Sequence, residues 1–388
     1  MDDCGGRTMR RAVLICGLLV LAGLAAGFRS TRDGEPSAAS VTQAMDKVYA
    51  AYERELVGMC AGAVDGPVAV AKCYGRRVRG GTARPNPNTL FLIDSVTKTF
   101  TATLLAIRVE QHSIPSLDTK VKPYWPSGDD RADVPDALTF ADLAQHYSGL
   151  PGGQTPPASG LDAYLRSAAG ALKQASCWSR KKGCGYLYSN RGFGVLGTLL
   201  ALHDGRADGT LGPWAPDNAS AVTGPLGMTS TKTWLEWQAS NPLYYESHRA
   251  IAHGTDHWAG QPYGDPAGAL YSSARDMLTW LRYSMGLAGS TELVAAHHWL
   301  FDYVKLRPEN HKIMKTGLAW TVDARTGTPC VEKDGGGLGF SAFVLFAEHQ
   351  RRGVFVLLNN SPATDIGVIA RALVNGLPTT PGAGSLTC

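Results

Sequence analysis

The stretch FLIDSVTKTF, Phe91–Phe100, sets Ser95 three residues ahead of Lys98. On a helix, positions three apart share a face, so a hydroxyl and an amine at this spacing can hydrogen-bond directly. Behind the pair, Val96, Phe100, Leu104 and Ile107 recur at intervals of four, four and three, and this spacing predicts a helix from Ser95 to about Gln111 with one buried face. Ser95 then stands at the helix N-terminus, where the dipole and the free N–H groups favour developing negative charge. Partial burial of Lys98 would depress its pKa and make it a usable base. The alternative for Ser95 is an N-cap, a position that serine commonly fills. Ser179 and Lys182 in SRKK repeat the spacing. They lie in a basic, glycine-ended loop between two cysteines with no apolar periodicity behind it, so that lysine is expected to stay solvated and protonated.

The chain has 388 residues, 44% of them hydrophobic and 18% charged, enough for one large domain or two smaller ones. Its net charge of +4 is small and no run of like charges marks a nucleic-acid arm, so no nucleic-acid partner is expected. Arg76, Arg77 and Arg79 lack an aromatic platform and read as an exposed hairpin end. At the N-terminus, Arg7, Arg10 and Arg11 precede the apolar run Ala12–Ala26, which ends in LAAG. A basic start, a short apolar segment and small residues at the cut define a secretory signal over residues 1–27, cleaved near Ala25–Gly27. The run falls short of the roughly 20 apolar residues that span a bilayer. The mature chain is therefore expected in the periplasm or secreted, without a transmembrane domain, and membrane-anchored only if the signal is retained.

Export governs the cysteines. Without Cys4 and Cys16, six remain in an oxidising compartment: Cys60, Cys73, Cys177, Cys184, Cys330 and Cys388. Proximity favours pairing 60 with 73, 177 with 184, and 330 with 388. A hairpin turn centred on Asp65-Gly66 would set Cys60 opposite Ala71, so the first pairing calls for a bulge or slipped register. A metal site is disfavoured because no close CxxC pair occurs, and neither metal nor cofactor is expected.

An amphipathic segment over Val41–Leu56 leads into VGMCAGAV and PVAVAKCYG, a helix followed by a β-hairpin. Further on, YLYSNRGFGVLG supplies Tyr188 and Asn190. A Ser-Lys nucleophile needs a group that passes a proton to the leaving group, which a phenol beside a lysine can do; an amide can hold a substrate's peptide dipole. SxxK, then YxN, then a Lys-x-Gly strand is an order that resembles the serine β-lactamase and penicillin-binding-protein superfamily, with its SxxK, SDN and KTG signature. Tyr in the second motif resembles the class C branch and its D-alanyl-D-alanine peptidase and esterase relatives. LTFADLAQHYSGLP (Leu138–Pro151), GPLGMTST (Gly224–Thr231), PAGALYSSARDM (Pro266–Met277) and GLAW (Gly317–Trp320) resemble family landmarks in the family's order, from about Val57 to about Leu377.

The third motif has two candidates. Lys315-Thr316-Gly317 spells KTG but runs straight into GLAW, which in the family lies upstream of the catalytic strand. EKDGGGLGFSAFVLF, from Glu332, offers Lys333, Asp334 and Gly335 ahead of two β-rich runs, FSAFVLF and RRGVFVLLNN, that read as a hairpin. The motif is therefore assigned to Lys333–Gly335, on a strand edge that a substrate could approach. The resemblance implies that Gly336 and Ser95 supply the paired oxyanion N–H donors. Asp334 departs from the family, where a Thr or Ser hydroxyl commonly helps hold a substrate carboxylate; a carboxylate here is unfavourable toward one, unless it points away or pairs with Lys333 or the loop at Arg180–Lys182.

Among other residues, His248, His253, Asp256 and His257 read as a loop over the cleft, His297-His298 and His146 as structural, and Asn218-Ala219-Ser220 as a glycosylation sequon. No GxSxG elbow occurs, which argues against an α/β-hydrolase. The expected fold is α+β and β-lactamase/transpeptidase-like: an antiparallel sheet flanked by helices, with a mainly helical region inserted over about 110–315. Residues 28–40 form a linker, 41–377 a single catalytic domain and 378–388 a tail. The resemblance implies a monomeric serine hydrolase with Ser95, Lys98 and Tyr188 catalytic and Asn190 and Lys333–Gly336 binding substrate. It acts on peptidoglycan D-alanyl peptides and binds β-lactams. A class C type β-lactamase, an esterase and a non-hydrolysing penicillin-binding sensor follow in that order.

Overall fold

The computed structural model describes residues 36–378 apart from 154–157, 180–182, 207, 253–260, 303, 310–311, 324–329, 338 and 348–349. The signal segment, Arg180–Lys182, His253, Asp256, His257 and Cys388 lie outside the described residues. Helix α1 (Ala38–Tyr52) starts at a capping box in which the side chains of Ser37 and Ser40 each bond the other residue's backbone N–H. Strands β1 (Gly58–Asp65) and β2 (Val68–Gly75) follow as a hairpin. Its turn is centred on Gly66-Pro67, one residue later than the sequence suggests, because Gly66 takes the left-handed conformation (φ 56°) that a tight hairpin needs. That shift pairs Cys60 directly with Cys73, and the two are disulfide-bonded with no bulge required. Cys177 and Cys184 form a second disulfide, and Cys330 is also disulfide-bonded.

Strands β3 (Leu90–Leu92), β4 (Lys232–Thr233) and β5 (Leu270–Ser273) form a small antiparallel sheet. The main sheet adds β6 (Lys305–Glu309), β7 (Lys312–Thr316), β8 (Thr321–Asp323), β9 (Cys330–Gly336), β10 (Ser341–Ala347) and β11 (Arg352–Leu358) to the first hairpin. Its order is β2-β1-β11-β10-β9-β8-β7-β6 and every described pairing is antiparallel. The FSAFVLF and RRGVFVLLNN runs are the β10–β11 hairpin. Alternate side chains serve two cores: Phe343, Leu345, Val354 and Val356 pack with α1 and the helix Ile366–Asn375, whereas Val344, Phe346, Phe355 and Leu357 face the larger core. Both faces are covered, so these strands read as unbroken apolar runs. After the first hairpin the main sheet resumes at residue 305, earlier than the insertion boundary near 315 suggested by sequence, and the inserted region carries β4 and β5 among its helices.

Candidate active site

Ser95 lies in a 3-10 turn, Asp94–Val96, that opens into helix α2, Thr97–Glu110. Neither helix start has a side-chain cap bond, so Ser95 is not an N-cap here. The expected helix is present, but it is buried on every side from Thr97 to Val109 instead of along one face. Threonines make that possible: Thr99 donates to the Val96 carbonyl, Thr101 to Pro266 and Thr103 to Thr99, each at 2.9 Å or less, so the buried hydroxyls keep partners.

This burial sets the chemistry of Lys98. Its side chain is fully buried, and its ammonium donates to Ser95 Oγ at 3.0 Å, Asn190 Oδ1 at 2.7 Å and the Ala267 carbonyl at 2.6 Å. Burial pushes its pKa below the ordinary lysine value; the Tyr188 phenol opposes that shift and the nearby Lys333 charge adds to it. Tyr188, contributed from 93 residues away, donates to Ser95 Oγ at 2.7 Å. Burial raises its pKa, but the Lys333 and Lys98 charges outweigh burial, and the net displacement is downward. Nζ of Lys98 lies 4.9 Å and that of Lys333 5.6 Å from the Tyr188 ring centre. Ser95, Lys98, Tyr188, Asn190 and Lys333 thus lie together.

Asn190 is the first residue of the helix Asn190–His203, whose N-cap Ser189 accepts the Gly192 N–H at 2.9 Å. Tyr188 sits just before that cap, and His146 steadies it. The His146 ring packs 4.3 Å from the Tyr188 ring, while its Nδ1 and carbonyl oxygen accept the backbone N–H groups on either side of the tyrosine. Sequence reasoning treated His146 as merely structural. The Ala267 carbonyl, being backbone, carried no side-chain signal at all.

Strand β9 passes beside the Ser95 turn. A Cβ on Gly335 would lie 2.2 Å from the Ile93 carbonyl oxygen and 3.2 Å from the Ser95 nitrogen, so only glycine permits this approach. Strand β8 pairs with β9 only as far as Glu332. Beyond it, among the described residues, no strand covers the edge that carries Lys333–Gly336. Lys333 is buried and donates to the Asp334 carbonyl at 2.7 Å and to its carboxylate at 2.9 Å. That pairing is one of the arrangements the sequence left open for Asp334, and the Lys333 charge pulls the carboxyl down to about 2. The literal KTG is elsewhere: Lys315 is exposed on β7, two strands from β9 in the sheet order. Residues Thr316–Trp320 are buried, with the Ala319 N–H bonded to the Ala144 carbonyl.

Other candidates stand apart. Ring contacts stack His248 on Tyr244, and buried His297 bonds the Ser284 carbonyl. Asn218 is 2% exposed, which closes the sequon to modification in the folded chain. Among the described residues there is no cluster of three or more His, Cys, Asp or Glu side chains able to hold a metal, and no helix long and apolar enough to cross a membrane.

A family model described as Beta-lactamase matches residues 38–375. The D-alanyl-D-alanine-carboxypeptidase/endopeptidase AmpH of Escherichia coli strain K12 is 26% identical over 376 residues, covering 92% of this chain and 93% of that protein. The putative beta-lactamase-like 1 of Homo sapiens is 26% identical over 306 residues, 76% of this chain and 59% of that one. Among solved structures, a class C beta-lactamase has a TM-score of 0.69 at 19% identity, covering 86% of this chain and 94% of its own. A beta-lactamase/D-alanine carboxypeptidase from Yersinia pestis complexed with citrate has a TM-score of 0.67 at 20% identity, covering 88% and 98%. These structural likenesses establish the fold.

Proposed function

The chain belongs to the beta-lactamase family, and from that premise we propose an exported serine hydrolase that forms an acyl-enzyme on Ser95 and cleaves D-alanyl peptides of peptidoglycan. The observation that carries this reading is the double engagement of Ser95 Oγ by Lys98 and Tyr188. Ser95 Oγ attacks the carbonyl carbon of a D-alanyl amide, and its proton passes to the Lys98–Tyr188 pair, whose lowered pKa values make a proton-accepting form more available. The tetrahedral oxyanion is held by the N–H groups of Ser95 and Gly336. Collapse breaks the C–N bond, and the pair returns the proton to the departing amine. Water then adds to the serine ester, releasing the acyl group as a carboxylic acid and restoring Ser95. With its oxygen turned to Lys98, Asn190 offers its NH2 to the acyl side chain's amide, and the open edge of β9 receives the peptide as an added strand.

The AmpH relative, aligned over nearly its whole length, supports a D-alanyl substrate. A class C type β-lactamase is the second reading. It is favoured by the 2.7 Å approach of Tyr188 to Ser95, which would also serve a water attacking the acyl-enzyme. Incubating the mature protein with fluorescent penicillin, nitrocefin and muropeptides, with intact-protein mass spectrometry, separates the two by which substrates turn over. Ser95→Ala abolishes covalent labelling by penicillin or a fluorophosphonate, and Ser179→Ala does not. Persistent labelling of the Ser95 variant would reject the mechanism.

A further inference from the structure

Asp334 follows Lys333 on strand β9, which passes beside the Ser95 turn at Gly335. The two residues turn different ways: the Lys333 side chain is 4% exposed and that of Asp334 72%. The Lys333 ammonium nevertheless reaches the Asp334 carboxylate at 2.9 Å. The negative charge is felt at Lys98 and Tyr188 as well, so the carboxylate is within electrostatic range of the reacting atoms. On its other side Asp334 borders, with Gly335 and Gly336, a hollow of about 440 Å³.

The charges around that hollow are already committed. Arg371 is ion-paired with Glu332, Lys333 with Asp334, and Asp365 caps the helix Ile366–Asn375 by accepting the Gly367 N–H at 2.8 Å. Among the described residues, a ligand carboxylate reaching this hollow meets three carboxylates of the chain, Glu332, Asp334 and Asp365, and Lys333 and Arg371 are each already paired with one of them. Like charges brought together in a partly desolvated cleft oppose binding strongly, and with Lys333 and Arg371 both paired neither is left to offset that repulsion at the hollow.

We infer that the leaving-group side of the cleft selects substrates without a free carboxylate: D-alanyl bonds to an amide-capped or ester-capped group, in preference to bonds to a D-alanine bearing a terminal carboxylate. This rests on the acyl-transfer reading of Ser95. Asp334 is the specificity determinant, acting both through its own charge and by occupying Lys333.

The test compares the mature protein on an N-acyl-D-alanyl-D-alanine and its C-terminal carboxamide, and on N-acyl-D-alanine thioesters of mercaptoacetate and mercaptoacetamide. The uncharged member of each pair has the higher kcat/KM, by at least about tenfold. Asp334→Asn, which keeps the shape and removes the charge, brings the ratio to about one or reverses it, with thermal unfolding run alongside to verify folding. A wild-type preference for the free acid, or a ratio unchanged in Asp334→Asn, overturns the inference. If neither peptide is cleaved while the thioesters are, the peptidase reading fails and the thioester pair decides the charge preference by the same criteria. Acyl transfer from none of these substrates, together with no fluorophosphonate labelling of Ser95, overturns both.

Discussion

His146 accepts the Ser189 N–H on its ring Nδ1 at 3.0 Å, and its carbonyl oxygen accepts the Leu187 N–H at 2.8 Å. Tyr188 is thereby fixed by its two neighbours' backbones, and its hydroxyl direction follows from a residue 42 positions earlier in the chain. His146 also has φ 66°, a conformation that Asn and Asp tolerate better than Ala. His146→Ala removes the acceptor and strains the backbone, so kcat/KM falls roughly 10²-fold, as misplacement of a reacting group by about 1 Å does. His146→Asn keeps a short acceptor and the favourable φ and retains more activity. Wild-type rates in His146→Ala, from matched ester kinetics, would remove His146 from this role.

Replacing Lys333 by Ala cuts acylation strongly, whereas Lys315→Ala changes it little, since only Lys333 lies beside Tyr188. Second-order rate constants for penicillin labelling decide between them. A larger loss with Lys315→Ala would move the third motif to β7.

In the proposed mechanism, acylation depends on Lys98 losing its proton. Burial lowers the Lys98 pKa from the ordinary 10.5, so kcat/KM rises with pH through the depressed value and levels off before 10.5 is reached. Lys333 lowers the pKa values of both Lys98 and Tyr188. Its removal raises both, and the rising limb of the residual activity in Lys333→Ala moves to higher pH. A pH–rate profile that shifts toward acid contradicts this electrostatic account.

The Cys60–Cys73 bridge closes a 13-residue separation. On a chain-entropy basis a loop of that order contributes about 3 kcal/mol. The Cys60→Ala/Cys73→Ala double variant therefore unfolds at a lower denaturant midpoint, with a slope that is, if anything, steeper because its unfolded chain is less compact, while the Ser95 cluster keeps its labelling rate below the transition. An unchanged midpoint would mean that the hairpin needs no bridge.

The readable parts of this protein are those where one residue type has one use. Ser95 and Lys98 at helical spacing, Tyr188 and Asn190 two apart, and Lys333 ahead of glycines stand out because their chemistry is specific, and the β10–β11 hairpin because unbroken apolar runs flank a basic turn. What stayed hidden is what depends on tertiary surroundings. The apolar period of α2 reports one face, and nothing in it says that its threonines find carbonyl acceptors such as Pro266 and make the remaining faces buriable. The hairpin register turned on whether Gly66 or Asp65 takes the left-handed position, a choice of one residue. The direction of Asp334 follows from the reach of the Lys333 side chain around its own strand, which no spacing rule encodes.

The enclosure of α2 also fixes how Ser95 responds to fluctuation. With every residue from Thr97 to Val109 inside the core, this segment has no solvent-facing side from which to fray, so its amides exchange with deuterium only through the largest opening the domain undergoes. Ser95 inherits that reluctance, and partial unfolding at the rim of the cleft would leave the Ser95–Lys98 pair assembled. Heat would disperse the Ser95 cluster only as the domain as a whole comes apart.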